Sequence, residues 1–395
     1  MLSIQVSSLH IYPVKSTAGI ELPQADINLL GLAFDRRFVL CDSQGQFITA
    51  RTEPTLCLIQ ATLTTTGIEH SGIELTANGM PNLILNYKAF SARYKKVTVW
   101  DDEINSQVCS AEADRWFSRY LNRNCQLVFF GERSNRIKKP NTSDERSLAF
   151  TDGYPLLLIS QASLDDLNQR LAQQNLLPVA MSQFRPNIVV NNCPAFAEDT
   201  WQHIRIGEIE FIVSKPCERC IFTTVNPKSG KKHPQQQPLA TLRDYRKSDQ
   251  GEVLFGQNLI PLNQGTIKKG DKVQVLSLQK PPVFSSITFP TVNQVTIESK
   301  NLTNANKKVS IYFEKWQKKY QGDNQKTLLE HGEDAGLILP YSCLAGMCGC
   351  CKAKLVSGEV DQLNSDGLTE DEQQQGYILC CSSIAISDVV IAHNG

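Results

Sequence analysis

The stretch Tyr341-Ser342-Cys343-Leu344-Ala345-Gly346-Met347-Cys348-Gly349-Cys350-Cys351 decides how the last third of the chain is read. With Cys343, Cys348 and Cys351 as ligands it is C-x4-C-x2-C, and Cys381 follows after 29 intervening residues. Four thiolates at that spacing suit a [2Fe–2S] cluster, three from one tight loop and one from a distant strand. Gly346 and Gly349 suit such a loop, because its backbone must turn through positive φ and approach the sulfides closely. A zinc site would want a second C-x2-C pair, and the other one, Cys217 with Cys220, lies over a hundred residues away. A disulfide framework fits poorly: thirteen cysteines is an odd number and no secretory segment is present. Cys380 and Cys381 are adjacent, which leaves the fourth ligand formally ambiguous, and the gap from Cys351 selects Cys381.

Working outward, Thr327 with Glu330 three residues on forms a capping box, Leu328 and Leu329 begin an apolar face, and Gly336 is a helix stop. Residues 292–297 and 309–313 read as an opening hairpin by alternation and β-branching. Together with Pro340-Tyr341-Ser342-Cys343 and Gly376-Tyr377-Ile378-Leu379, these residues resemble a plant-type ferredoxin domain, which implies a β-grasp fold over about residues 291–395.

The whole chain has 395 residues, 41% hydrophobic and 20% charged, which predicts a soluble globular protein of two to three domains. No run of eighteen apolar residues occurs, so no membrane span is expected. The start, Met1-Leu2-Ser3-Ile4-Gln5-Val6, enters a strand pattern without the plan of a signal peptide, and a cytoplasmic location is expected. Net charge is zero overall, yet residues 331–395 hold nine acidic residues against two lysines. Such a surface is either a solvated face or one that docks on a basic electron-transfer partner. No basic tract interleaved with aromatics argues for a nucleic-acid polymer.

Residues 1–125 read as β-rich, with strands at 3–12, 37–41 and 97–101 and turns at Asp42-Ser43-Gln44-Gly45 and Asn78-Gly79. A helix is predicted over 112–121, capped by Ser110 and presenting Trp116, Phe117, Tyr120 and Leu121 on one face. A second helix is predicted from a Ser163–Asp166 cap with Leu164, Leu167 and Leu171 as its core stripe. Cys217 and Cys220 fall between the strand-like runs 210–213 and 221–225. A thioredoxin-like pair would want its first cysteine at a helix N-terminus, so a single thiolate near Lys215 and Arg219, available to a soft metal, fits better.

Tyr12-Pro13-Val14-Lys15-Ser16, Asp35-Arg36, Thr49-Ala50-Arg51, Arg185-Pro186-Asn187 and Arg219-Cys220-Ile221-Phe222-Thr223-Thr224-Val225 resemble an MOSC protein with its N-terminal β-barrel partner. Thr241-Leu242-Arg243-Asp244-Tyr245-Arg246 and Phe255-Gly256-Gln257-Asn258 extend the likeness over about residues 1–278. It is similar to the mitochondrial amidoxime-reducing component and to a bacterial type with this same MOSC-plus-ferredoxin order. The expected fold class is mainly β with α+β character. A β-barrel domain would span 1–125, a MOSC β-barrel-like domain 126–278 with a shared cofactor site, a linker 279–290 and a β-grasp ferredoxin-type domain 291–395.

The resemblance implies a molybdenum cofactor beside the [2Fe–2S] cluster. Cys220 matches the molybdenum ligand, and Lys15, Ser16, Arg36, Asp152, Arg185, Asn187 and Arg219 match positions that hold or line the pterin. A pyranopterin carries a phosphate, whose oxygens match the fork of a guanidinium. Reduction of N-hydroxylated purine analogues and hydroxylamines is the activity implied, with a flavoprotein reductase as electron donor. Thr49, Arg51 and Asn258 are weaker candidates for the substrate side. Cys217 is expected to be a small buried thiol, with Cys41, Cys57, Cys109, Cys125 and Cys193 in the core or incidental. Two other readings stay open: a sulfur or cofactor carrier with a persulfide on Cys220, and an electron-transfer component for a partner oxygenase. The absence of a G-x-G-x-x-G nicotinamide fingerprint argues against a complete flavin reductase.

Overall fold

The computed structural model describes residues 3–66, 69–138, 146–284, 307–337, 339–341, 346, 349–362, 365 and 367–393. Packing divides the chain into two compact units. One consists of Met1–Cys217, Phe222–Thr241 and Phe255–Pro282; the other of Glu218–Ile221, Leu242–Leu254 and Val283–Gly395.

The first unit is built on an eight-stranded sheet. Its order is Ile20–Leu22, Gln5–Ile11, Ile188–Asn191, Leu156–Ser160, Leu254–Pro261, Ile209–Glu218, Trp201–Ile206 and Val273–Leu278. Leu156–Ser160 is buried along its whole length and runs parallel to Ile188–Asn191, as a strand covered on both faces should. At the other extreme, Gln5–Ile11 buries Val6, Leu9 and Ile11 and bulges between Val6 and Ser8 to keep those side chains inward. A five-stranded sheet orders Tyr94–Val99, Asp102–Val108, Gln126–Phe129, Phe38–Cys41 and Phe47–Ile48. The helix Ala111–Leu121 packs on it through Ala113, Trp116 and Phe117, starting where Ser110 accepts a hydrogen bond from Ala113 N.

Strand pairing here is non-local. Gln5 pairs with Asn191, Gln24 with Lys268, and Gln126 with Cys41. The stretches 1–125 and 126–278 therefore share sheets, with the first strands of the chain lying beside strands from beyond residue 187.

Several local expectations need correction. The helix expected to be capped by Ser163 runs Gln161–Gln173 and is capped by Ser160, whose Oγ accepts from Ser163 N. Ser163 lies inside the first turn, buried, and donates to Glu198. Leu164, Leu167 and Leu171 are its buried stripe, as their spacing predicts. The strand expected at 97–101 ends at Val99, because Trp100 turns through φ 58 to start the return strand. The run 221–225, expected as a strand, forms a 3-10 turn over Ile221–Thr224. Cys217 is half-buried within the strand Ile209–Glu218 rather than sealed in a core.

In the second unit a mixed sheet runs Lys318–Asp323, Lys308–Phe313, Val389–Ala392, Lys352–Ser357 and Tyr377–Leu379. Lys308–Phe313 is parallel to Val389–Ala392, and its hairpin partner is Lys318–Asp323. Residues 292–297, expected to be that partner, lie outside the described residues, as do 285–290 of the expected linker. The helix Leu328–Asp334 opens with the capping box of Thr327 and Glu330, buries Leu328 and Leu329, and is followed by Gly336 at φ 77. The β-grasp fold class stands. No helix among the described residues is long and apolar enough to cross a membrane.

Candidate cofactor sites

In the first unit, the turn that follows Gln5–Ile11 carries Tyr12, Lys15 and Ser16. Lys15 is buried, and its Nζ donates to Phe150 O at 2.8 Å and to Asp152 Oδ1 at 2.6 Å. Burial pushes this ammonium down to about 8, against the pull of Asp152. The Asp152 side chain is exposed, and Lys15, Arg51 and the Trp100 N–H together hold its carboxyl far below the usual carboxylate range. Trp100 Nε1 donates to Asp152 Oδ1 at 3.0 Å, and Arg51 Nη2 is 4.0 Å from Oδ2.

A second group is centred on Tyr12. The guanidinium carbons of Arg36 and Arg185 lie 4.2 and 4.1 Å from its ring centroid. Arg36 pairs with Asp35 at 2.5 Å and donates to Arg185 O, while Arg185 Nη1 donates to Thr17 O at 2.5 Å. Burial, with the Arg36 charge beside it, pushes Arg185 down to about 10. Asn187 occupies its amide within the protein: Oδ1 accepts from Leu157 N, and Nδ2 donates to His10 O and Asp35 Oδ2. Through Asp35 it orients Arg36. Ser16 Oγ accepts from Ala50 N and so ties down the neighbouring loop.

Backbone strain coincides with this group. Ser16, Arg36 and Arg185 have φ of 78, 45 and 55°, a left-handed conformation that non-glycine residues rarely adopt. Sequence reasoning missed Arg136, whose buried guanidinium donates to Ala149 O, Thr151 O and Asp152 O and pairs with Asp102 at 2.7 Å. It moulds the loop that presents Asp152. Nothing marks it in the sequence, because its partners are three backbone carbonyls and a carboxylate 34 positions away. Thr151 Oγ1 is buried in the same loop without a hydrogen-bond partner among the described residues. Two guanidiniums, an ammonium and an orphaned hydroxyl are a donor set that fits a phosphate-bearing pterin.

Of the expected pterin-site residues, Lys15, Ser16, Arg36, Asp152, Arg185 and Asn187 are thus tied into the first unit. Arg219 and Cys220 belong to the second unit, where Arg219 N donates to Val253 O at 2.7 Å and both side chains are half-buried.

Within the second unit, Cys351 and Cys381 are buried with their sulfurs 3.1 Å apart. Gly346 N lies 3.3 Å from Cys381 Sγ, a backbone N–H directed at a sulfur. Gly346 and Gly349 have φ of 71 and 72°, and a Cβ on Gly349 would come within 3.0 Å of Gly367 O. Cys380 is buried elsewhere, 3.7 Å from His393 Nε2. Two buried thiols side by side under a backbone N–H fit a thiolate-bound cluster. Cys343 and Cys348 lie outside the described residues.

Three family descriptions match in series: an MOSC N-terminal β-barrel domain over residues 3–124, an MOSC domain over 145–274 and a 2Fe-2S iron–sulfur cluster binding domain over 314–385. The chain is 34% identical over 288 residues to mitochondrial amidoxime-reducing component 1 of Mus musculus, covering 69% of this chain and 82% of the mouse protein. The chain belongs to the amidoxime-reducing component family. To mitochondrial amidoxime reducing component 2 of Bos taurus it is 35% identical over 286 residues, covering 68% of this chain and 82% of the bovine one. Among solved structures, phthalate dioxygenase reductase is similar over 24% of this chain and 29% of its own, at 28% identity and a TM-score of 0.21. As a family member with these domains, the chain is a molybdenum-dependent oxidoreductase whose cofactors are a molybdenum cofactor and a [2Fe–2S] cluster.

Proposed function

We propose that this enzyme reduces N-hydroxylated compounds to the parent amine, amidine or base, with electrons entering through its own [2Fe–2S] cluster. The observation that carries the reading is the 34% identity to amidoxime-reducing component 1 over 82% of that protein, in a chain that also carries a cluster-binding domain. The substrates are N-hydroxylated base analogues such as hydroxylaminopurines, together with hydroxylamines. Each turnover breaks one N–O bond, consumes two electrons and two protons, and releases water. The molybdenum cofactor supplies a two-electron centre able to accept oxygen, and the cluster relays electrons singly, at about −400 mV for its type.

The chain's own residues bind and orient. Arg36 and Arg185 would clamp the pterin phosphate, Lys15 would add a point charge, and Ser16 and Thr151 hydroxyls, while Arg219 carries the same guanidinium fork. Asp152 can only accept hydrogen bonds, so it suits pterin N–H groups while keeping Lys15 protonated at neutral pH. Cys220 is the thiolate for molybdenum, and Cys343, Cys348, Cys351 and Cys381 hold the cluster. Asn187 positions Arg36 through Asp35. The acidic residues of 331–395 support docking to a basic flavoprotein reductase as electron donor. The setting we propose is cytoplasmic, where thiols and an iron–sulfur cluster are kept reduced.

Metal content and turnover of 6-hydroxylaminopurine test the reading together, on protein from a host that makes molybdenum cofactor. Wild type should hold molybdenum and iron and reduce the base when supplied with dithionite-reduced mediator. Cys220→Ala should lose molybdenum and activity while keeping iron. Iron without molybdenum in the wild type would overturn it.

A further inference from the structure

Trp100 is an anomaly that the cofactor residues do not absorb. It sits at the two-residue turn joining Tyr94–Val99 to Asp102–Val108, where Val99 pairs with Asp102. The first turn position has φ 58, which in a tight hairpin is normally given to glycine. For a residue as bulky as tryptophan this backbone is unfavourable. Its side chain is nevertheless held from three directions. Nε1 donates to Asp152 at 3.0 Å, the Arg51 guanidinium lies 4.2 Å from the ring centroid, and the Phe47 ring is tilted 60° at 5.1 Å. Despite this the residue stays 36% exposed.

Fixing an aromatic ring without hiding it serves packing poorly and serves a ligand well. All three anchors belong to the Lys15–Asp152 group: Asp152 also accepts from Lys15, Arg51 faces Asp152, and Lys15 Nζ lies 5.8 Å from the Phe47 ring. The indole is therefore held at the rim of the cation cradle, with its edge anchored and part of its surface open to solvent. We infer that Trp100 is a specificity-determining residue that stacks against planar N-hydroxylated substrates, purine-type bases above all, and so favours them over hydroxylamines without a ring. This rests on the reductase reading and deepens it. Base–aromatic stacking is sequence-tolerant and strong enough to change kcat/KM by about 5- to 150-fold.

Two variants separate the ring from its N–H. Trp100→Phe keeps a π face and loses the donor; Trp100→Gln keeps a donor and loses the face. In the full-length holoenzyme, kcat/KM per bound molybdenum is measured for 6-hydroxylaminopurine and for N-methylhydroxylamine. The purine-to-hydroxylamine ratio should fall by about 5- to 150-fold in Trp100→Gln, chiefly through KM, and stay within about threefold of wild type in Trp100→Phe. An unchanged ratio in both variants would overturn the inference, and so would an equal fall in both, which would assign the effect to the N–H. A loss of more than half the molybdenum in either variant would also overturn it, making Trp100 part of the cofactor cradle. Calorimetric binding of 6-hydroxylaminopurine keeps this separate from the reductase reading. A wild type that binds the base without reducing it would sink the reaction and keep the stacking role, provided Trp100→Gln weakens binding by that same factor. No binding to the wild type would sink the stacking role.

Discussion

The iron–sulfur loop and the cation cradle are two solutions to holding a cofactor, and they differ in where their parts come from. Three of the proposed cluster thiols lie within the nine positions 343–351, and the fourth is fixed by a spacing. In the cradle, Lys15 reaches Asp152 across 137 positions and Arg185 reaches Thr17 across 168. A cluster bonds directly to its thiols, so the chemistry constrains the local sequence. A phosphate accepts from any well-placed donor, so its site can be collected from several strands as long as the sheet brings them together. The local site should then fail residue by residue, and the collected one through its supports as well.

The sharpest contrast is between neighbours. Cys381→Ala is expected to remove the iron of the cluster completely while Cys380→Ala keeps it, read as iron per chain and by the electron paramagnetic signal of the reduced protein. Equal loss in both would erase the distinction that spacing and the 3.1 Å contact with Cys351 draw.

For the cradle, a supporting residue should matter almost as much as a contacting one. Arg136→Met leaves three backbone carbonyls without their partner and Asp102 with Lys138 alone, and should lower stability in denaturant titration by about 3 kcal/mol. Bound molybdenum should drop with it while iron per folded chain holds. Normal molybdenum loading would show that the Asp152 loop keeps its shape unaided.

The pH response separates the two sites more gently. Burial pushes Lys15 down to about 8, and in the proposed cradle it would meet phosphate as the ammonium. Above that value binding must first recover a proton, so affinity for molybdenum cofactor should fall with rising pH, by about tenfold at pH 9. Reconstitution of the cofactor-free protein between pH 7 and 9 measures this. Lys15→Arg, which stays charged throughout, should flatten the profile, and cluster occupancy should not follow it.

The smallest expected effect lies in the second unit. Thr327→Ala removes the capping box of Leu328–Asp334 and should cost about 1 kcal/mol of stability with the cluster spectrum unchanged. A spectral shift would show that this helix also tunes the cluster.

Some of this architecture was legible because short-range rules govern it. Capping at Ser110 and Thr327, the stripe of Leu164, Leu167 and Leu171, and the stop at Gly336 follow from side chains within a few residues of one another. The choice of Ser160 over Ser163 as cap was less so, because both can serve and the decision fell to Glu198, whose buried carboxylate takes up Ser163. The run 221–225 reads as a strand although Ile221–Thr224 folds as a 3-10 turn, because a short β-branched run does not distinguish the two.

By itself the sequence determined the cluster loop, the periodic elements and the positions of the candidate cations, since each depends on nearby residue types and spacings. Only the tertiary structure decided that Lys15 faces Asp152, that Arg136 shapes the loop presenting it, and that Trp100 stands exposed beside both. Those contacts span 137, 16 and 52 positions and depend on how the strands pair. Such pairings are set by which faces can be buried together, and no local pattern encodes that.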